Sequence, residues 1–253
     1  MSIAVAALSA LLLLAVDSTA DSYPAAAGFN EAASDPEALA IADATMQAMG
    51  GYKAWDQTRF ITWRFFGGRR HIWDKWTGDL RFEQDDLTVL MNINTQQGRA
   101  WRDGQALGDE DLQSALERGY RSWINDAYWL VMPYKLKDSG VTLRYIGNDA
   151  GPEGTDCHVV ELTFAGVGVT PQNKYRVWVD AQTDLVSQWA FYPQANDEQP
   201  RFVGPWQNWQ RYGSIMLSDG RGERGHTGLA VFSDLPASVM NDPKPVDENV
   251  LAQ

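Results

Sequence analysis

Between Arg59 and Asp103 the chain reads RFITWRFF, HIWDKW, LRFEQ, LTVLMNIN and RAWRD, separated by Gly-Gly, Thr-Gly-Asp, Asp-Asp and Gln-Gln-Gly. Short runs rich in β-branched and aromatic residues, bounded by turn formers, read as strands. Turn signals returning at about 8 to 12 residues are those of an antiparallel meander. In the first run Arg59, Ile61, Trp63 and Phe65 share one face, and Phe60, Thr62, Arg64 and Phe66 share the other. Neither face is polar, whereas an antiparallel sheet with one wet face alternates cleanly. Two expectations follow: either both faces are covered, or the sheet curls strongly.

Helical periodicity brackets this meander. In SDPEALAIADATMQAMGG, Leu39, Ala42, Met46 and Met49 form one apolar stripe, and Pro36 suits a first turn. Ser34 and Glu37 are spaced as a capping box, and Gly50-Gly51 supply a left-handed stop. From Asp109 to Val131, Leu112, Leu116, Tyr120, Trp123, Ala127 and Leu130 mark a second stripe, with acids at its start where the helix dipole favours them. Pro133 ends it, so NDAYWLVMPYKLKDSG is the close of a helix and its exit, with Lys135 and Lys137 expected to point to water. The remainder returns to strands, with YRVWVDAQTDLVSQWAFY a hairpin connected through Asp180 to Asp184.

The first residues, MSIAVAALSALLLLAVDSTADS, carry an apolar run from Ile3 to Val16 and a small-residue triplet ending at Ala20. That pattern reads as a secretory signal peptide over 1–20 and is too short for a span of about 20 residues. Residues 21–33 are expected to be a flexible leader, 34–240 one domain and 241–253 a C-terminal coil. A lone cysteine, Cys157, rules out an internal disulfide framework. The expected location is therefore the periplasm, with a soluble mature chain and no integral membrane span. The formal net charge of −12 repels phosphate backbones, so nucleic acid is not an expected partner.

Chemistry-bearing motifs are sparse. Gly213-Ser214-Ile215 lacks the second glycine of a nucleophile elbow, and His71, His158 and His226 are the only histidines. Asp156-Cys157-His158 places its cysteine and histidine on opposite faces of a strand, so no metal site is expected. No phosphate-binding or dinucleotide fingerprint is present, and no cofactor is expected. One polar group, His71, Asp74, Lys75 and Asp79 in a Trp-rich hairpin, motivates a carboxylate-dependent hydrolase as an alternative; a hydrogen-bonded strand edge explains it as well.

MGGYKAWDQTRFITWRFFGGRRHIWDKWTGDLRFE, YWLVMPYKLKDSGVTLRY, YRVWVDAQTDLVSQWAFY and WQRYGSIMLS, in this order, resemble the outer-membrane lipoprotein-sorting-protein-like family, related in fold to periplasmic lipoprotein-localisation carriers. The resemblance implies a mainly β fold with helices, in which a strongly curved antiparallel sheet forms an incomplete barrel whose concave face is covered by helices. It also implies a non-catalytic periplasmic carrier for an apolar small molecule, lipid or acyl chain. An envelope protein as partner, with the chain acting as an interaction scaffold, is a further alternative. On this basis the expected ligand-binding residues are Trp63, Phe65, Trp73, Trp123, Trp129, Met132, Tyr134, Trp178 and Trp189, with Met132 adapting to varied apolar shapes and Tyr134 placing its hydroxyl at the rim.

Overall fold

A computed structural model describes residues 23–251 apart from Val167 and Val169. The expected signal peptide lies outside the described residues. Helix α1 (Pro36–Ala48) and the short α2 (Tyr52–Gln57) precede a meander of β1 (Phe60–Phe65), β2 (Arg69–Asp74), β3 (Asp79–Gln84), β4 (Leu87–Asn92), β5 (Gln97–Arg102) and β6 (Gln105–Ala106). The long helix α3 (Asp109–Val131) follows, then β7 (Val141–Ala150), β8 (Asp156–Phe164), β9 (Lys174–Asp180), β10 (Val186–Tyr192) and β11 (Phe202–Pro205). The chain closes with β12 (Gln207–Tyr212), β13 (Ile215–Arg221), β14 (Arg224–Gly225), β15 (Thr227–Phe232) and α4 (Ala237–Asn241).

The strands form antiparallel sheets that do not close into a barrel: a seven-stranded sheet in the order β15-β1-β2-β3-β4-β5-β6, a five-stranded sheet β11-β10-β9-β8-β7, and the three strands β12-β13-β14. Helix α3 crosses between the first two. Its early part buries Ala115 and Leu116 against Leu80, Phe82, Val89 and Met91. Its later part sets Ala127, Leu130 and Val131 against Ile61, Trp63, Ile215 and Leu217. On the five-stranded sheet, α1 contributes Ala38, Ile41 and Ala42 to a core with Leu143, Val160, Leu162, Val177 and Val179.

Both faces of β1 are covered. Ile61 and Trp63 look toward α3, while Phe60 and Ile72 pack beneath Leu235 and Val239, with Val246, Val250 and Leu251 alongside. The C-terminal coil, as far as Leu251, thus lies against the sheet as a strap. Arg81, fully buried, donates to the carbonyls of Val239, Asp242 and Lys244, and Glu248 pairs with Arg70 and Arg64.

The segment read as a flexible leader is also bound, from Tyr23 onward. Tyr23 is buried, its hydroxyl donating to the Tyr134 carbonyl at 2.8 Å and accepting from the Lys137 amide. Asn30 and Asp35 amides donate to the Val141 and Leu143 carbonyls, covering the free edge of β7. The expected capping box does not form for the same reason. Ser34 Oγ donates to the Asn30 carbonyl and accepts from the Leu143 amide, while Asp35, the residue at the cap, accepts from the Tyr145 amide through Oδ2. Satisfying a buried strand edge wins over capping the helix. Among the described residues no helix is long and apolar enough to cross a membrane.

Candidate functional site: two chambers beneath the long helix

The later half of α3 stands off the five-stranded sheet. Large aromatic side chains on both surfaces hold them apart, leaving a chamber of about 430 Å³ lined by Ile124, Tyr128, Trp129, Phe164, Tyr175, Trp189, Phe191 and Phe202, with Arg121, Asn125, Thr170 and Asn173 also in its wall. A second chamber of about 280 Å³ shares Ile124, Tyr128, Phe164 and Gly168 with the first. It extends along the helix past Trp73, Trp123, Ala127 and Val131 to Lys135, Asp138 and Ser139. Tyr128 and Phe164, edge-on at 6.4 Å, therefore line both spaces. A wider cleft of about 1240 Å³ near the start of α3 is lined mostly by polar side chains, including Asp109, Glu110 and Glu117, and has no aromatic wall.

Strand alternation explains the wall. Tyr175, Val177 and Val179 on β9 pair with Phe191, Trp189 and Val186 on β10, so all six share the face turned to α3. Tyr175 stacks on Trp189 at 5.3 Å, and Trp129 stands edge-on to Trp189 at 4.6 Å while stacking on Phe202 at 5.5 Å. Such offset and edge-on arrangements satisfy the ring quadrupoles and stiffen the chamber.

Charged groups anchor the helix. Asp126, fully buried, accepts from Arg69 Nε and Nη2 at 2.8 and 2.7 Å and shares a 2.7 Å hydrogen bond with His71 Nε2. Burial by itself would raise the Asp126 carboxyl, but the bonds from His71 and Arg69 outweigh it and hold the group below the usual carboxylate range. Burial lowers His71 more than Asp126 raises it, so its ring is neutral with the proton on Nε2. One turn later the Trp129 carbonyl accepts from Arg221 Nη2 at 2.5 Å and lies 3.3 Å from His226 Nε2. Arg221 lies over the Trp206 ring at 3.5 Å, and burial brings its guanidinium down to about 9. Burial, with Arg221 adding to it, takes the buried His226 imidazole to about 4.

Of the nine residues expected to bind ligand, four line these chambers: Trp129 and Trp189 the larger, Trp73 and Trp123 the smaller. Trp63 is core, stacked on His71 at 4.6 Å, and Phe65 packs among Phe66, Trp129 and His226 outside both chambers. Met132 is fully buried in the core beneath α1. Tyr134 has no rim position: its hydroxyl donates to the Met49 and Met216 carbonyls and its ring stacks on Trp55 at 4.1 Å. Trp178 occupies the opposite face of its sheet with Cys157, Val159, Ala190 and Tyr192, its indole bonded to Asp149. Lys137 does not reach water either; its ammonium is buried against Asp43 and the Tyr23 carbonyl.

Sequence reasoning missed Ile124, Tyr128, Phe164, Tyr175, Phe191 and Phe202. The signal for Ile124 and Tyr128 was their four-residue spacing beside the Trp123–Ala127 stripe. For Tyr175 and Phe191 it was the two-residue spacing to Val177 and Trp189. The polar group that motivated a hydrolase is dispersed. His71 faces α3, Asp74 accepts from Arg59 on the other face, Lys75 lies over Trp55, and Asp79 bonds Thr77 and Asn92.

Comparison of the sequence with family models and with curated proteins gives no match. Among solved structures, the chain is similar to a DUF1329 family protein from Desulfovibrio piger, at 12% identity and a TM-score of 0.41, covering 81% of this chain and 97% of that one. It is similar to a LolA superfamily protein from Nitrosomonas europaea, at 11% identity and TM-score 0.35, covering 81% and 97% of the two chains. A putative outer membrane lipoprotein-sorting protein domain from Vibrio parahaemolyticus gives 13% identity and TM-score 0.34, covering 86% and 99%. At these identities and scores the likenesses carry over neither ligand nor residue roles.

Proposed function

We propose that this protein is a non-catalytic binding protein of the periplasm that carries or senses an apolar ligand, a lipid or acyl chain, held between α3 and the five-stranded sheet. The observation that carries this reading is the aromatic chamber of about 430 Å³, continued past Tyr128 by a second of about 280 Å³. Its size falls within the range of small-molecule sites, and its wall is apolar with polar side chains added, the composition such sites use. Each methylene moved from water into it contributes about 0.8 kcal/mol, so ten methylenes supply roughly 8 kcal/mol against the cost of association. Such binding needs shape and dryness rather than a reactive group.

Native mass spectrometry of the protein purified from its own host, before and after delipidation, tests this. One amphiphile per chain, removed by delipidation and restored by adding it back, supports the reading. A ligand-free mass throughout, with no uptake of any acyl compound offered, overturns it.

A further inference from the structure

The larger chamber has a polar end and an apolar end. Along α3 its wall runs through Arg121, Asn125, Tyr128 and Trp129, which share one helix face and pass from charge through amide to aromatic ring over about 12 Å. The sheet side repeats that order. Thr170 and Asn173, bonded to each other at 2.7 Å, come just before β9, and Tyr175, stacked on Trp189, follows them. Tyr128 and Tyr175, 5.2 Å apart, face each other where the polar end gives way to the rings. Arg121, its side chain 66% exposed, stands at the mouth.

Among the described residues Arg121 is the one charged side chain in this wall, and no carboxylate lines it. That runs against the balance of a chain whose formal net charge is −12. The neighbouring spaces differ: the smaller chamber pairs its cation, Lys135, with Asp138, and the wide polar cleft carries Asp109, Glu110 and Glu117. Arg121 meets Glu117 one turn earlier at 3.7 Å, both side chains mostly in water, and such a surface pair contributes little. Its guanidinium is therefore free to exchange Glu117 for an oxygen arriving at the mouth. We infer that the ligand of the larger chamber is an anionic amphiphile, its carboxylate or phosphate held by Arg121 and its hydrocarbon chain directed inward past Tyr128 to Trp129 and Trp189. A guanidinium suits either head, because it offers paired N–H donors to two oxygens. This rests on the proposed apolar-ligand function and adds a charge and an orientation to it.

The test titrates the full chain at pH 8 with laurate, dodecyl phosphate, neutral monolauroylglycerol and cationic dodecyltrimethylammonium, each below its micellar concentration and followed by tryptophan fluorescence. The native protein should hold at least one anionic probe about tenfold more tightly than the neutral one, the lower end of what a charge-assisted hydrogen bond supplies, and the cation most weakly. A preference for laurate alone identifies a fatty acid as the source of the anion, and for dodecyl phosphate alone a phosphate ester; either supports the inference. In Arg121→Gln the anion-to-neutral ratio should fall to about one. Arg118→Gln removes the same charge from the same helix, but Arg118 bonds Gln84 outside the chamber, so that variant should keep the preference. In the native protein alone, added salt should weaken the anionic probe and spare the neutral one, a readout that needs no variant to fold. Equal affinity for anionic and neutral probes, or a preference that survives in Arg121→Gln or is lost equally in Arg118→Gln, overturns the inference while leaving the apolar-ligand reading intact. Failure of all four probes to bind overturns both.

Discussion

Replacing His226 with phenylalanine should make the protein more resistant to acid. The imidazole is buried, lies 5.4 Å from the Phe66 ring and parallel to it, and makes one long contact, 3.3 Å, to the Trp129 carbonyl. A phenyl ring retains the stacking, and the carbonyl keeps its bond from Arg221. Burial, reinforced by the nearby Arg221 charge, lowers the folded-state group from 6.5 to about 4. Below pH 6.5 the unfolded chain therefore binds a proton that the folded protein refuses, and stability falls as pH falls until about pH 4. At about 1.4 kcal/mol per pH unit, the loss between neutrality and pH 5 is about 2 kcal/mol. Urea unfolding of both proteins at pH 7.5, 6 and 5 measures it. His71, lowered by burial, adds a loss of the same sign to both proteins, and the Asp126 loss begins only as pH falls into the ordinary carboxylate range, below the pH 5 limit of the measurement. The difference between the two proteins should shift by about 2 kcal/mol in favour of the His226→Phe variant on going to pH 5. Parallel stability profiles would show that His226 titrates normally, refuting its assignment as a buried neutral ring.

Two further perturbations probe the helix anchor and the first helix end. Asp126→Leu strips Arg69 and His71 of their shared acceptor and should cost about 3 to 5 kcal/mol at pH 7, as breaking a buried pair does; denaturant unfolding with a loss under about 1 kcal/mol would mean the pair is solvated. Gly50→Ala should destabilise by more than about 1 kcal/mol, because φ is +113° and the new Cβ would meet the Ser214 carbonyl oxygen at 2.4 Å; an unchanged thermal midpoint would contradict that close approach.

Much of the frame was legible because periodicity reports which face is buried. The long stripe from Leu112 to Leu130 marks α3, and the two apolar faces of the RFITWRFF strand anticipate covers on both sides, α3 on one and the C-terminal strap on the other. The strap itself was not legible. Its hold comes from Arg81 reaching carbonyls about 160 positions away, and backbone acceptors have no sequence signature. The same is true of Ser34 and Asp35, whose side chains suit a helix cap in isolation and were diverted by the edge of β7.

The site was half legible. Aromatic and methionine content alone does not separate a chamber wall from a filled core, so Trp63, Met132 and Tyr134 were equal candidates with Trp129. Trp178 is different: it falls on the same strand face as Lys174, Arg176 and Asp180, whereas Val177 and Val179 fall with Tyr175, so the strand's own pattern set it on the outer face. Which rings stand apart depends on where α3 crosses the sheet, and that is fixed by the distant contacts of Asp126 with β2 and of Trp129 with Arg221.

The central claim is that the space between Trp129 and Trp189 receives a hydrocarbon chain. Titration with an acyl compound brominated along its chain tests it most directly, since bromine quenches only nearby indoles. Saturable quenching at one ligand per chain, diminished when Trp129 and Trp189 are both replaced by phenylalanine, is the predicted result. Quenching that never saturates, or that is unaltered by removing those two indoles, would place the chain elsewhere and contradict the account.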